Sequence, residues 1–98
     1  MDDITPQDLK SRIEGSESLN ILDVRETWEH EEKNIGGENV PLGTLPHRLG
    51  EIDHWKEEEL IVYCRTGNRS GNAKKFLEQQ GFTKVRNLLE GIEGYLKQ

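Results

Sequence analysis

Apolar positions along this chain form two kinds of grouping, and the two kinds alternate. Short continuous runs read as buried strands, and pairs three or four apart read as helices. Leu19 to Val24 is one such run, broken only by Asn20 and Asp23. Leu60-Ile61-Val62-Tyr63 is the cleanest, all β-branched, aliphatic or aromatic. Val85 to Leu89 is the last, and Asn39-Val40-Pro41-Leu42 forms a very short strand closed by its proline. Helices fall between the runs. Thr5-Pro6-Gln7-Asp8 has a capping hydroxyl, a proline suited to the first helical position and an acid where a capping box places one. Leu9 and Ile13 then share a face, and Gly15 is a stop. Trp28 to Lys33 is a short polar helix, followed by the turn Ile35-Gly36-Gly37. Leu45 to Trp55 is weakly helical, with Leu49 and Ile52 three apart, and Glu57-Glu58-Glu59 is a solvated loop. Ser70 to Gln80 places Ala73, Phe76 and Leu77 on one face, with Gly81 as its cap. Gly91 to Leu96 forms a short final helix, and no internal repeat or low-complexity segment is visible.

Strands alternating with helices predict an α/β protein with a small, mainly parallel central sheet flanked by helices. Sites in such sheets lie beyond the carboxyl ends of the strands. Asp23, Arg25 and Cys64 all fall at such ends.

Composition narrows this picture. A chain of 98 residues is expected to be one domain, over residues 1–98. Leu, Ile, Val and Phe together make 24 of those residues, enough to fold but around a thin core. The formal charge of −6 argues against a general nucleic-acid binder. No apolar run approaches a membrane span, and the acidic start Met-Asp-Asp-Ile lacks a signal-peptide pattern, so a cytoplasmic protein is expected. Cys64 is the one cysteine, which excludes an internal disulfide and a multi-cysteine metal site.

That cysteine opens the segment Cys64-Arg65-Thr66-Gly67-Asn68-Arg69-Ser70, fed by a strand and left by a helix. Helix N-termini carry unpaired N–H groups and partial positive charge. Gly67 lets the backbone curl and Gly71 permits close approach, so successive amides can form an anion-binding nest. Such a setting lowers a thiol pKa. Residues 64–77 hold Arg65, Arg69, Lys74 and Lys75 and no acid, a basic island in an acidic chain suited to a small anion. A free cysteine ending a core strand is often inert. Here the arginines, the central glycine and the strand–loop–helix setting favour the reactive reading. Cys-based phosphatases have one more residue between cysteine and arginine than the four between Cys64 and Arg69. The shorter loop makes a smaller cradle, fitted to a persulfide on Cys64.

These residues resemble the active-site loop of rhodanese-type sulfurtransferases. Ile21-Leu22-Asp23-Val24-Arg25-Glu26 with Trp28-Glu29-His30-Glu31 is similar to the same family, as are Ile35 through Leu42 and the tail from Gly81-Phe82 to Asn87-Leu88-Leu89-Glu90-Gly91-Ile92. Asn34 stands where members commonly carry His, Gly36-Gly37-Glu38 where they carry Pro-Gly-Ala, and Tyr95 where they carry Trp. The resemblance implies a rhodanese-like fold and a single-domain sulfurtransferase. It implies Cys64 as nucleophile, attacking the outer sulfur of a small anionic donor such as thiosulfate, with a thiol, protein persulfide or cyanide as acceptor. Arg65, Thr66, Gly67, Asn68, Arg69 and Ser70 would bind substrate, with Arg65 at the mouth and Arg69 clamping the loop or binding the anion. Asp23 and Arg25 would form a salt bridge bracing the loop. No metal or organic cofactor is needed, and nucleic acid and membrane are not expected partners. His30, His47 and His54 are read as surface histidines, and Trp28 and Trp55 as core or half-buried packing. The competing functions are a phosphatase or arsenate reductase on the same fold, a non-catalytic binding module and a redox-sensing thiol.

Overall fold

The computed structural model describes all of residues 1–98. Its elements run in the order α1 (Pro6–Glu14), β1 (Ile21–Asp23), α2 (Thr27–Glu32), β2 (Glu38–Asn39), three 3₁₀ turns (Leu42–His47, Leu49–Glu51 and Asp53–Trp55), β3 (Leu60–Tyr63), α3 (Asn68–Gln79), β4 (Val85–Asn87) and α4 (Gly91–Leu96). The four strands form one sheet in the order β2-β1-β3-β4, and every pairing is parallel. The winding reverses between β1 and β3, so their carboxyl ends open a crevice where a parallel sheet places its ligands.

The sheet is buried on both faces, which is why β3 is a continuous apolar run rather than an alternating one. Side chains still alternate between faces. Leu60, Val62 and Cys64 point to the side covered by α3 and the 3₁₀ turns, joining Leu22, Ala73, Leu77 and Phe82. Ile61 and Tyr63 point to the other side, joining Leu9 of α1, Ile92 of α4, and Ile4 and Leu88, which bridge each other beside the sheet. Cys64 thus continues the inward parity of β3 by one residue.

Several local expectations need correction. Between Leu45 and Trp55 the chain makes 3₁₀ turns rather than an α-helix. Pro46 lacks an N–H and its ring blocks an α-helical turn, while Leu45 and Ile52 are still buried. The short strand lies at Glu38–Asn39, ahead of Pro41. Gly15 does end α1 as its C-cap, and the left-handed step follows at Ser16. At α1 itself, the Asp8 amide donates to Thr5 Oγ1 at 3.1 Å, the expected cap. Most consequentially, α3 begins at Asn68 with Gly67 as its N-cap, so Asn68 and Arg69 are helical rather than loop residues.

Arg12 of α1 and Arg86 of β4 both donate to Glu59 just before β3, at distances of 2.6 to 2.9 Å. The two guanidinium groups, Arg12 foremost, hold the Glu59 carboxyl at about 2, well below its ordinary 4.5. The folded value is the lower one, so this contribution to stability is complete above about 4.5 and disappears as pH falls through about 2. Glu59→Gln is therefore expected to flatten the loss of stability across that interval, read as urea midpoint against pH. An unchanged slope would contradict this assignment.

Candidate active site

The carboxyl ends of β1 and β3 bring the site together. Beyond Tyr63, the carbonyls of Cys64 and Arg65 turn outward and accept from the Ile92 and Glu93 amides at 2.9 and 3.1 Å. These are amides of the first turn of α4, which have no partner within that helix. The Gly67 carbonyl accepts from Asn87 Nδ2 at 3.1 Å and from the Gly71 amide at 2.9 Å. With its carbonyls held outward, the loop turns its amides toward the sulfur. The Gly67 amide donates to Cys64 Sγ at 3.1 Å, and Ser70 Oγ lies 3.3 Å from it. Gly67 adopts φ +111°, a left-handed conformation that glycine takes without strain.

Cys64 is a free cysteine and almost fully buried, 1% exposed. Burial works to raise its pKa. The Ser70 hydroxyl and the amides of Ser70, Gly67 and Thr66 work against it, and the net direction is below the ordinary thiol value. Arg69, at the start of α3, adds a nearby positive charge.

The basic island is less free than its charge count suggests. Arg69 makes a two-pronged pair with Glu29 of α2, at 2.7 and 3.0 Å, and this holds the Glu29 carboxyl at about 2. Arg65, largely exposed, pairs with Glu93 of α4 at 2.8 Å. Lys74 pairs with Asp3 at 2.7 Å. The acids are distant in sequence but close in space, and their charges offset the island.

Asp23 and Arg25 do form a salt bridge, at 2.8 Å. Its further contacts differ from the expectation. Arg25 donates to the Lys33 carbonyl at 2.7 Å and lies over the Tyr63 ring, 5.4 Å from its centre. The pair therefore ties β1 to the end of α2 and to β3, while Arg69–Glu29 and Arg65–Glu93 are the pairs that tie residues 64–70 to α2 and α4. Burial works to raise the Asp23 pKa, but bonds from Arg25 and His30 outweigh it, and the carboxyl stays below its ordinary value. His30 corrects a second expectation: its Nδ1 lies 2.9 Å from Asp23 Oδ2, and the ring is mostly buried. Trp28 corrects a third, being 65% exposed rather than packed, whereas Trp55 is half-buried against the α3-side core. Gly71 has room for a β-carbon, so the close approach at this corner belongs instead to Gly91.

Beside the loop lies a cavity of about 440 Å³, lined by Arg25, Trp28, Glu29, Arg65, Ile92 and Glu93 among others. Its contribution from residues 64–70 is Arg65. Its acids and bases nearly balance, so it presents paired charge rather than a cationic funnel.

Four residues of this corner have roles that their place in the sequence does not reveal. Glu29 and Glu93 partner the arginines, Asn87 holds both Ser70 and Gly67, and Gly91 lets α4 approach the loop. Asn87 carried a signal: it shares inward strand parity with Val85, where an apolar residue is the rule.

A parallel sheet with a buried thiol in a nest of amides at its switch point defines a thiol-centred α/β domain. The profile of the Rhodanese-like domain matches residues 5–98, and the chain belongs to that family. The provisionally named sulfur carrier protein YrkF of Bacillus subtilis is 36% identical over 94 residues, which cover 95% of this chain but only 50% of YrkF. The chain thus spans half the length of that relative. A sulfurtransferase of Allochromatium vinosum is 32% identical over 93 residues, covering 94% of this chain and 85% of that protein. Among solved structures, a rhodanese-like domain protein of Staphylococcus aureus superposes with a TM-score of 0.85 at 27% identity, over 97% of this chain and 91% of that one. No helix is long and apolar enough to cross a membrane.

Proposed function

We propose that residues 1–98 form a single persulfide-forming sulfurtransferase domain. One observation carries this reading: the Cys64 sulfur sits at the carboxyl end of β3, with the Gly67 amide donating to it at 3.1 Å. The thiolate attacks the outer sulfur of thiosulfate. A bond forms between the two sulfurs, the donor's own S–S bond breaks, and its electron pair leaves with sulfite. The negative charge is then on the outer sulfur of the Cys64 persulfide. An acceptor thiolate, or cyanide, attacks that outer sulfur and the Cys64 thiolate departs. This is covalent catalysis in two displacements. The amides of residues 65–70 stabilise the anionic sulfur, as an oxyanion hole does for oxygen. Arg65 meets the donor at the mouth. Arg69, Thr66, Asn68 and Ser70 shape the cradle, and Asp23 with Arg25 positions the β1 side of it. With no second cysteine in the chain, turnover depends on an outside acceptor, a small thiol or a persulfide-accepting protein. A reducing cytoplasm suits such a thiol. Sulfurtransferase relatives and the shortened loop support this reading over phosphate-ester hydrolysis.

Thiosulfate and cyanide together are expected to give thiocyanate at a rate proportional to protein, with no hydrolysis of an aryl phosphate. Phosphate release without thiocyanate would overturn the proposal.

A further inference from the structure

Ser70 Oγ stands between two acceptors. It is 3.3 Å from Cys64 Sγ and 2.5 Å from Asn87 Oδ1. A hydroxyl carries one proton and cannot donate to both. The neighbouring backbone fixes which amide atom faces it. Asn87 Nδ2 lies 3.1 Å from the Gly67 carbonyl, which can only accept, so Oδ1 is the atom turned to Ser70. The Asn87 backbone amide is held in turn by Asp3 Oδ1 at 3.0 Å, and Asp3 by Lys74. Ser70 and Asn87 are both buried, so water does not readily replace a lost partner.

We propose that Asn87 is a positioning residue that controls how readily Cys64 ionises, by competing with its sulfur for the single Ser70 proton. In the thiol state the hydroxyl donates to Asn87 Oδ1, and its lone pairs face the sulfur. When the thiol proton leaves to solvent, the negative sulfur draws the hydroxyl round, and Asn87 Oδ1 loses its donor inside the protein. That loss opposes ionisation. The amides of Thr66, Gly67 and Ser70 are fixed by the backbone and favour the thiolate throughout. Asn87 therefore leaves the thiolate less stabilised, and so more nucleophilic, than the amides and a free Ser70 hydroxyl would make it.

The surrounding charges are those of Arg69 with Glu29 from α3 and α2, Arg65 with Glu93 from the loop and α4, Asp3 with Lys74, and Asp23 with Arg25 and His30 from β1 and α2. None of them bonds to Ser70 Oγ or Asn87 Oδ1, so they act alike whether or not the competition exists.

A double-mutant cycle isolates the competition. The Cys64 thiol is titrated by its ultraviolet thiolate absorbance, and by alkylation rate against pH, in the native protein, Asn87→Ala, Ser70→Ala and the double variant. Asn87→Ala is expected to lower the titration midpoint, raising the thiolate fraction below it by about threefold or more. In the Ser70→Ala background the same substitution is expected to leave the midpoint in place. An unchanged or raised midpoint, or an equal shift in both backgrounds, would overturn the proposal. An equal shift would mean that Asn87 acts through Gly67 instead. Should the alanine variant not fold, Asn87→Ser removes the reach to Ser70 and is read in the same way. The inference rests on Cys64 being the reactive group of the proposed function. Its titration needs no sulfur donor, so failure here leaves sulfur transfer untouched, and failure of sulfur transfer leaves the titration readable.

Discussion

Cys64→Ser is expected to lower sulfur transfer from thiosulfate to cyanide by about 10³-fold or more, the scale of losing a nucleophile outright. The fold should survive the change. Serine is close to cysteine in shape, and its hydroxyl can still accept from the Gly67 amide that now reaches the sulfur at 3.1 Å. Its oxygen is smaller and more polar, which costs some packing against the α3-side core. What is lost is the chemistry. A hydroxyl does not ionise near neutral pH, and its oxygen forms no stable persulfide. The cradle of amides remains but holds no anionic sulfur. The check is initial-rate thiocyanate formation beside a circular dichroism spectrum. A correctly folded variant that kept much of its activity would move the nucleophile away from Cys64.

Gly91→Ala is expected to damage both stability and site. Gly91, the first residue of α4, has φ +59° and follows Glu90, itself at φ +63°, so the chain enters α4 through two successive positive-φ residues. A β-carbon on Gly91 would lie 2.3 Å from the Arg65 carbonyl oxygen and 2.6 Å from that of Cys64. These are backbone atoms of the loop itself, and they accept the amides of Ile92 and Glu93. Relief of the clash must lift α4 from the loop or turn the loop carbonyls away. Either outcome disturbs the amides that meet the sulfur. A loss of about 3 kcal/mol or more is expected, the range of backbone strain combined with broken buried contacts. Urea denaturation measures it, and the alkylation rate of Cys64 at fixed pH reports the cradle. A variant matching the native protein in both would show that α4 does not set the loop.

The parts of the fold legible in the sequence are those governed by local periodicity. Leu60 to Tyr63 is a four-residue apolar run, and the strand has those bounds. The run also fixes the parity that turns Cys64 inward. The start of α3 was less legible because Asn68 and Arg69 belong to no apolar face. Only the left-handed turn at Gly67 marks that boundary. The spacing of Leu49 and Ile52 predicts a helix where 3₁₀ turns form, because it does not register the effect of Pro46.

The site divides along the same line. Its central residues lie in one short segment, so their type and spacing could be read together. Its charge balance could not, since Glu29 is 40 positions from Arg69 and Glu93 is 28 from Arg65. Such pairs leave no trace in local pattern. His30 was equally hidden. It belongs to a polar helix with no fully buried residue, and only the fold brings it to Asp23.

The central claim is that Cys64 carries sulfur as a persulfide, and intact mass tests it most directly. After incubation with thiosulfate and removal of excess, the native protein is expected to gain the mass of one sulfur atom. Peptide mapping should place the gain on Cys64, and cyanide should remove it. Cys64→Ser should show no gain under the same conditions. Native protein with a free, alkylatable thiol that never acquires the added sulfur would contradict the account.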